Sequence, residues 1–168
     1  MTVVATDRAK DGFLLGKDEG EAHWLLGMLE VVKISGADTG GAFGLLEVTV
    51  RAGEGSPWHV HPDEDEWFYV LEGEMTFWVG GNVIVAPAGA FVYGPRDIPH
   101  TFDVTSDVAH FLLVAEPGGF DQFMRAAGEP AGSLTIPPPP SEPPDPERLA
   151  TVAAEYGIEI LGPPGIPA

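Results

Sequence analysis

The sequence predicts an all-β fold, a jelly-roll β-barrel carrying short C-terminal helices, and three observations point there. Short apolar runs rich in β-branched and aromatic residues recur along the middle of the chain. Gly, Pro, Ser and Asp punctuate them at Glu72-Gly73, Gly80-Gly81, Pro87-Ala88-Gly89 and Thr105-Ser106-Asp107. After Pro117-Gly118-Gly119 the apolar residues change to helical spacing. Many short strands with regular turns are the signature of a sandwich or barrel, because each strand can bury only one face and must return at once to pair.

Residues 1–20 are polar and irregular, carry no motif, and read as an N-terminal arm. The run 23–35 is rich in Leu, Val and Ile and is followed by a glycine-rich loop, Gly36 to Gly41, and a second apolar run, 43–50. A helix would suit 21–29, but Val31, Val32, Ile34 and the glycine loop favour two strands of a hairpin. Further strands are predicted around His59 and over 66–71, 74–79, 82–85, 90–93, 100–104 and 109–115. These place the barrel at 21–117 and a helical, proline-rich extension packed on it at 118–168.

Within the extension, Phe120, Phe123, Met124 and Ala127 fall at i, i+3, i+4 and i+7, with Gly128 at the capping position. The proline-dense stretch 137–146 should be an extended linker. Asp145 before Pro146 is an N-cap followed by proline at the first helical position, and Leu149, Val152, Ala153 and Tyr156 form a second stripe ended by Gly157. These helices are expected to be packing surfaces, with a lid over the pocket as the alternative.

At 168 residues the chain suits one domain, and with no cysteine it can form neither disulfides nor thiolate metal sites. Eight basic against 26 acidic residues give a net charge of −18, which argues against nucleic acid and anionic lipid as partners. No signal-peptide pattern opens the sequence and no apolar run is long enough to span a bilayer, so a cytoplasmic location is expected.

The segment 53–73 carries the chemistry. His59 and His61 are two apart on a strand, so their imidazoles share a face and can reach one cation. Glu66 opens the apolar run that reads as the next strand of a hairpin, where Glu66, Phe68 and Val70 share one face. If that face is the histidines' face, Glu66 is a third ligand, while Asp63, Glu64 and Asp65 stay in the loop. A second segment, 89–102, passes through a proline-punctuated turn to His100 at the start of a strand, a candidate fourth ligand. His23 and His110 lack such a context and read as ordinary surface or core histidines.

The spacings are Gly53-x5-His59-x-His61-x4-Glu66-x6-Gly73, then Gly89-x5-Pro95-x-Asp97-x2-His100. This resembles the two signature motifs of the cupin superfamily and matches the first at every position. In the second, the family usually has glycine where this chain has Asp97, and asparagine where it has Val104; Asp tolerates left-handed backbone better than most residues. By resemblance, His59, His61, Glu66 and His100 are the metal ligands. The runs Asp38-Thr-Gly-Gly-Ala-Phe43, Pro95-Arg-Asp-Ile-Pro-His-Thr-Phe102 and Glu116-Pro-Gly-Gly-Phe120 look like single-domain bacterial cupins grouped with quercetin 2,3-dioxygenases. That likeness covers about 27–130.

Three imidazoles and one carboxylate suit one divalent transition metal per chain, Fe, Mn, Co, Ni or Cu, without choosing among them. The resemblance implies O2-dependent cleavage of a flavonol or another enolisable or phenolic small molecule, with Glu66 as the base. Two other classes share the ligand set: a non-redox metal enzyme (isomerase, cyclase or decarboxylase), and a small-ligand-binding module without turnover. Strand parity nominates Phe68, Val70 and Phe102 as pocket walls, with barrel core the preferred reading of any one of them. A homodimer is expected, because Trp67, Tyr69 and Leu71 make the outer face of the 66–71 strand apolar as well.

Overall fold

The structure, a computed structural model, describes residues 12–140 and 144–165. Ten strands run through the body of the chain: β1 (Glu21–Leu25), β2 (Met28–Ile34), β3 (Gly44–Arg51), β4 (Pro57–Val60), β5 (Asp65–Glu72), β6 (Glu74–Val79), β7 (Asn82–Pro87), β8 (Phe91–Gly94), β9 (His100–Val104) and β10 (Val108–Glu116). The extension adds α1 (Phe120–Ala127), β11 (Glu129–Pro130), α2 (Pro146–Glu155) and β12 (Glu159–Pro164). The all-β reading holds, with only two short helices among the described residues.

Two antiparallel sheets make the jelly roll, ordered β11-β1-β2-β3-β10-β5-β8 and β12-β4-β9-β6-β7. Their inner faces meet in one core. On β3 the alternation is regular, with Leu46, Val48 and Val50 buried and Leu45, Glu47, Thr49 and Arg51 half-buried outside. Phe68 of β5, Phe77 of β6, Phe102 of β9 and Phe111 of β10 form an aromatic cluster with ring centroids 4.9 to 6.2 Å apart. Each such ring removes a large apolar area from water, so this cluster anchors the two sheets to each other.

Three features differ from the sequence-based expectation. The run 23–35 is two strands rather than one, broken by the two-residue turn Leu26-Gly27, with φ of 51° and 79°. Paired positive φ values give the turn a twist that matches the flanking strands. Second, β4 and β5 are not partners in a hairpin. β4 pairs with β9 and β12, β5 pairs with β10 and β8, and the loop between them crosses from one sheet to the other.

Third, the extension does not only pack on the barrel but also joins both sheets, β11 pairing with β1 and β12 with β4. β12 ends in Gly162-Pro163-Pro164, tolerated because β12 is an edge strand whose register to β4 is already irregular.

The predicted helices form where their stripes and caps put them. Asp145 accepts hydrogen bonds from the backbone N–H groups of Glu147 and Arg148 at 3.0 and 3.1 Å, with Pro146 opening α2. In α1, buried Asp121 accepts from the Gly36 N–H at 3.1 Å and pairs with Arg125, tying the helix to the loop before β3. The predicted linker 137–146 is described only in part, since 141–143 lie outside the described residues. Most of the N-terminal arm also lies outside them; its described end is held by Lys33 Nζ, which donates to the carbonyl oxygens of Gly16, Lys17 and Glu19. No described helix is long and apolar enough to cross a membrane.

Candidate metal centre

His59 and His61 come from β4 and its end, Glu66 from the start of β5, and His100 from the start of β9. Because β4 and β5 lie in opposite sheets, the carboxylate faces the two imidazoles across the interior rather than lining up beside them. His100 is registered directly against His59. All four side chains are buried, and one donor atom from each lies within 4.8 Å of the others. This is the one group of three or more metal-ligating side chains of that kind among the described residues. His23 instead pairs with Glu21 and His110 with Glu47.

The three Nε2 atoms converge on Glu66 Oε2, at 2.8 Å from His100, 3.4 Å from His61 and 3.8 Å from His59. Each opposite nitrogen is occupied. His59 Nδ1 donates to the Pro57 carbonyl oxygen at 2.7 Å, His100 Nδ1 to that of Ile98 at 2.9 Å, and His61 Nδ1 to Glu64 Oε2 at 3.0 Å. An oxygen that can only accept fixes the proton on Nδ1 and leaves the Nε2 lone pair pointing inward. His61 Nε2 is buried with no hydrogen-bond partner at all. Three oriented lone pairs, one orphaned, and a carboxylate fit a divalent cation, whose bonds to such donors are about 2.0–2.2 Å.

The electrostatics favour the ligating forms of Glu66 and His59. Burial opposes ionisation of Glu66, but the His61 charge and the approach of His100 and His59 outweigh it and hold the carboxyl well below its usual range. Burial pushes the His59 imidazole down, while for His61 the carboxylates of Glu66 and Glu64 overcome burial and push it up. A neutral His59 and an ionised Glu66 are the forms that ligate.

The turn before His100 bears on the Asp97 departure from the family pattern. Asp97 adopts φ 63°, and its N–H donates to the His61 carbonyl oxygen at 2.9 Å. The aspartate therefore takes the left-handed conformation that glycine would, and ties the His100 turn to the His61 strand end.

An apolar cavity opens onto this centre. His59 and Glu66 line it together with Phe68 and Phe102, whereas Val70 is completely buried in the packed core away from the cavity wall. Part of the lining comes from the extension: Phe120 and Phe123 of α1, Leu149 of α2, and Ile158 and Ile160 beside and within β12. Leu26 of the tight turn also reaches it.

Sequence reasoning missed two carboxyl groups. Glu64, read as part of a solvated loop, orients His61. Glu30 lines the cavity with 3% of its surface exposed, and its Oε2 has no hydrogen-bond partner. Burial, with the Glu66 charge adding to it, pushes the Glu30 carboxyl up to about 8. An unsatisfied buried polar atom costs about 1–3 kcal/mol. The signal for Glu30 was its parity with Met28 and Val32 on one strand; for Glu64, its position three residues after His61.

Residues 46–115 match the model of the cupin domain. The quercetin 2,3-dioxygenase of Bacillus subtilis (strain 168) is 27% identical over 154 residues, which cover 92% of this chain and 46% of that protein, so the chain spans about half its relative's length. Among solved structures, a predicted oxalate decarboxylase from Thermotoga maritima superposes with a TM-score of 0.56 at 20% identity, covering 62% of this chain and 99% of that one. An RmlC-like cupin from Shewanella frigidimarina NCIMB 400 gives 0.54 at 18%, covering 67% and 96%. KdgF from Halomonas sp. gives 0.52 at 16%, covering 57% and 84%. At these identities the structural likeness concerns the fold alone.

Proposed function

We propose that this chain, whose residues 46–115 match the cupin domain and whose fold superposes on cupin structures, is a metal-dependent dioxygenase that uses O2 to cleave a flavonol or another enolisable or phenolic small molecule. The observation that carries it is the buried convergence of three inward Nε2 atoms on Glu66 Oε2 at the wall of an apolar cavity. The 27% identity to a quercetin 2,3-dioxygenase supports the oxidative class.

A divalent transition ion held by His59, His61, Glu66 and His100 would supply Lewis acidity toward a substrate oxygen and an electron path between substrate and O2. The remaining tasks fall to the chain. Phe68 and Phe102 offer flat apolar walls to an aromatic skeleton, and Phe120, Phe123, Leu149 and Ile160 extend that apolar lining. Glu66 takes the enol or phenol proton on its carboxylate. The contacts that keep Glu66 ionised also make it a weak base, so the best substrates have an acidic enol.

The protein works as a homodimer in this reading. Tyr69 and Leu71 of β5 and Phe91 and Tyr93 of β8 are exposed on the outer sheet face, beside a groove lined by Leu45, Trp67 and Leu112. The helices pack mainly on each other, β1, β3, β11 and β12, leaving that face for a second subunit.

The deciding experiment is metal analysis of the protein as isolated, then oxygen uptake against flavonols, β-diketones and catechols. Uptake requiring both metal and substrate is the expected result. Product formation under strict anaerobiosis would replace the dioxygenase with a non-redox metal enzyme, and saturable binding without product would leave a binding module.

A further inference from the structure

Two carboxyl groups reach the cavity, and the metal centre accounts for only one of them. Glu30 sits on β2, registered against Val48 of β3 on one side and His23 of β1 on the other. Most of the lining it shares, including Met28, Val48, Phe111 and Leu113, is apolar, and the polar members Ser56, His59 and Glu66 give its Oε2 no hydrogen bond. His23, directly opposite, has its Nε2 engaged by Glu21 at 2.9 Å. Glu30 Oε2 is therefore a buried polar atom without a partner in the wall of a site that opens toward His59 and Glu66. A position serving packing alone would be better filled by Leu or Met, which leave no polar atom unpaired.

We propose that Glu30 is a substrate-contacting residue that hydrogen-bonds a second oxygen of the ligand, so that the cavity selects molecules with two separated oxygen functions on an apolar skeleton. One oxygen is directed to the histidine cluster and the other to Glu30. A neutral carboxyl can donate through its O–H and accept through its carbonyl, so the second oxygen is a hydroxyl or a carbonyl. A ligand with a single oxygen leaves Glu30 unpaired, and sites built this way reject analogues that lack the matching group. The inference rests on the cavity being a substrate site, but not on the reaction being oxidative.

The test uses the full chain loaded with zinc, which binds without redox turnover, and calorimetric titration with phenol, resorcinol and hydroquinone. In the wild type, one of the two diols should bind about tenfold tighter than phenol, beyond the twofold due to equivalent hydroxyls. In Glu30→Leu the diol advantage over phenol should vanish while zinc content holds, and the melting temperature should rise. Glu30→Gln keeps a donor and an acceptor and should retain part of the advantage; it also serves if the leucine variant fails to fold. A diol advantage that survives in Glu30→Leu, no such advantage in the wild type, or no binding of any of the three would overturn the role of Glu30. A Glu30-dependent advantage in a protein that consumes no oxygen with any flavonol, β-diketone or catechol would instead discard the dioxygenase and keep this contact.

Discussion

His100 stands between two acceptors: its Nε2 lies 2.8 Å from Glu66 Oε2 while its Nδ1 lies 2.9 Å from the Ile98 carbonyl oxygen. A neutral imidazole has one N–H, so only one of these contacts can be a hydrogen bond to a neutral ring. The other requires a proton or a metal ion between the two atoms. With His61 Nε2 orphaned beside the same oxygen, a cation satisfies what protons alone would leave strained.

Metal content should follow that geometry. His59→Ala and His100→Ala should sharply lower the divalent ion bound per chain, and His23→Ala and His110→Ala should leave it unchanged, as measured by elemental analysis. Binding should weaken as pH falls, because each imidazole must be neutral to ligate and the carboxylates of Glu66 and Glu64 favour the protonated form of His61. Equal metal in all four variants would sink the assignment.

Glu64 should act through His61. Glu64→Ala removes the 3.0 Å acceptor that orients the ring, and metal affinity should drop about 10–100-fold, the usual scale for a ligand's supporting partner. Competition with a chromogenic chelator measures it, and unchanged affinity would return Glu64 to the solvated loop.

Glu66→Gln separates ligand from base. If the carboxylate only ligates, activity should return in proportion to restored metal. As base and ligand together, the fully metallated variant should stay slow by roughly 100-fold or more, with a smaller defect for substrates whose enol ionises unaided. Wild-type turnover by that variant would remove the base role and leave the metal centre.

Glu30 imposes a pH dependence on stability of known sign. Its carboxyl is raised from 4.5 to about 8 in the folded protein, so the folded state holds a proton that the unfolded chain releases earlier. That contribution is complete below about 4.5 and is lost as pH rises toward 8. The melting temperature of Glu30→Gln minus that of the wild type should therefore grow across this window, and a difference independent of pH would show that Glu30 is not buried as a neutral acid.

Light scattering across micromolar concentrations should give a dimer mass, and Tyr69→Lys or Phe91→Lys should shift it toward the monomer by placing a charge on the apolar face. A monomer at every concentration would count against the assembly.

Much of the site was legible because ligand spacing is a local property. Parity put His59 and His61 on one face, the motif supplied Glu66 and His100, and strands 74–79 and 100–104 and helix 120–127 coincide with β6, β9 and α1. Glu30 and Glu64 were less visible, since a glutamate in an apolar run or an acidic loop has the same local signature whether it meets solvent, a cavity or a histidine.

By itself the sequence determined the element types, through alternation, glycine and proline punctuation and capping residues, and it determined which four side chains could share one ion. Only the tertiary structure decided that β4 and β5 belong to opposite sheets, so that Glu66 meets the histidines across the interior. It also decided that the proline-rich tail returns as β12 beside His59 and contributes Ile160 to the cavity lining. The physical reason is range. Period, turns and caps are set by residues a few positions apart, whereas sheet membership depends on which distant surfaces bury each other most completely, and no local pattern encodes that.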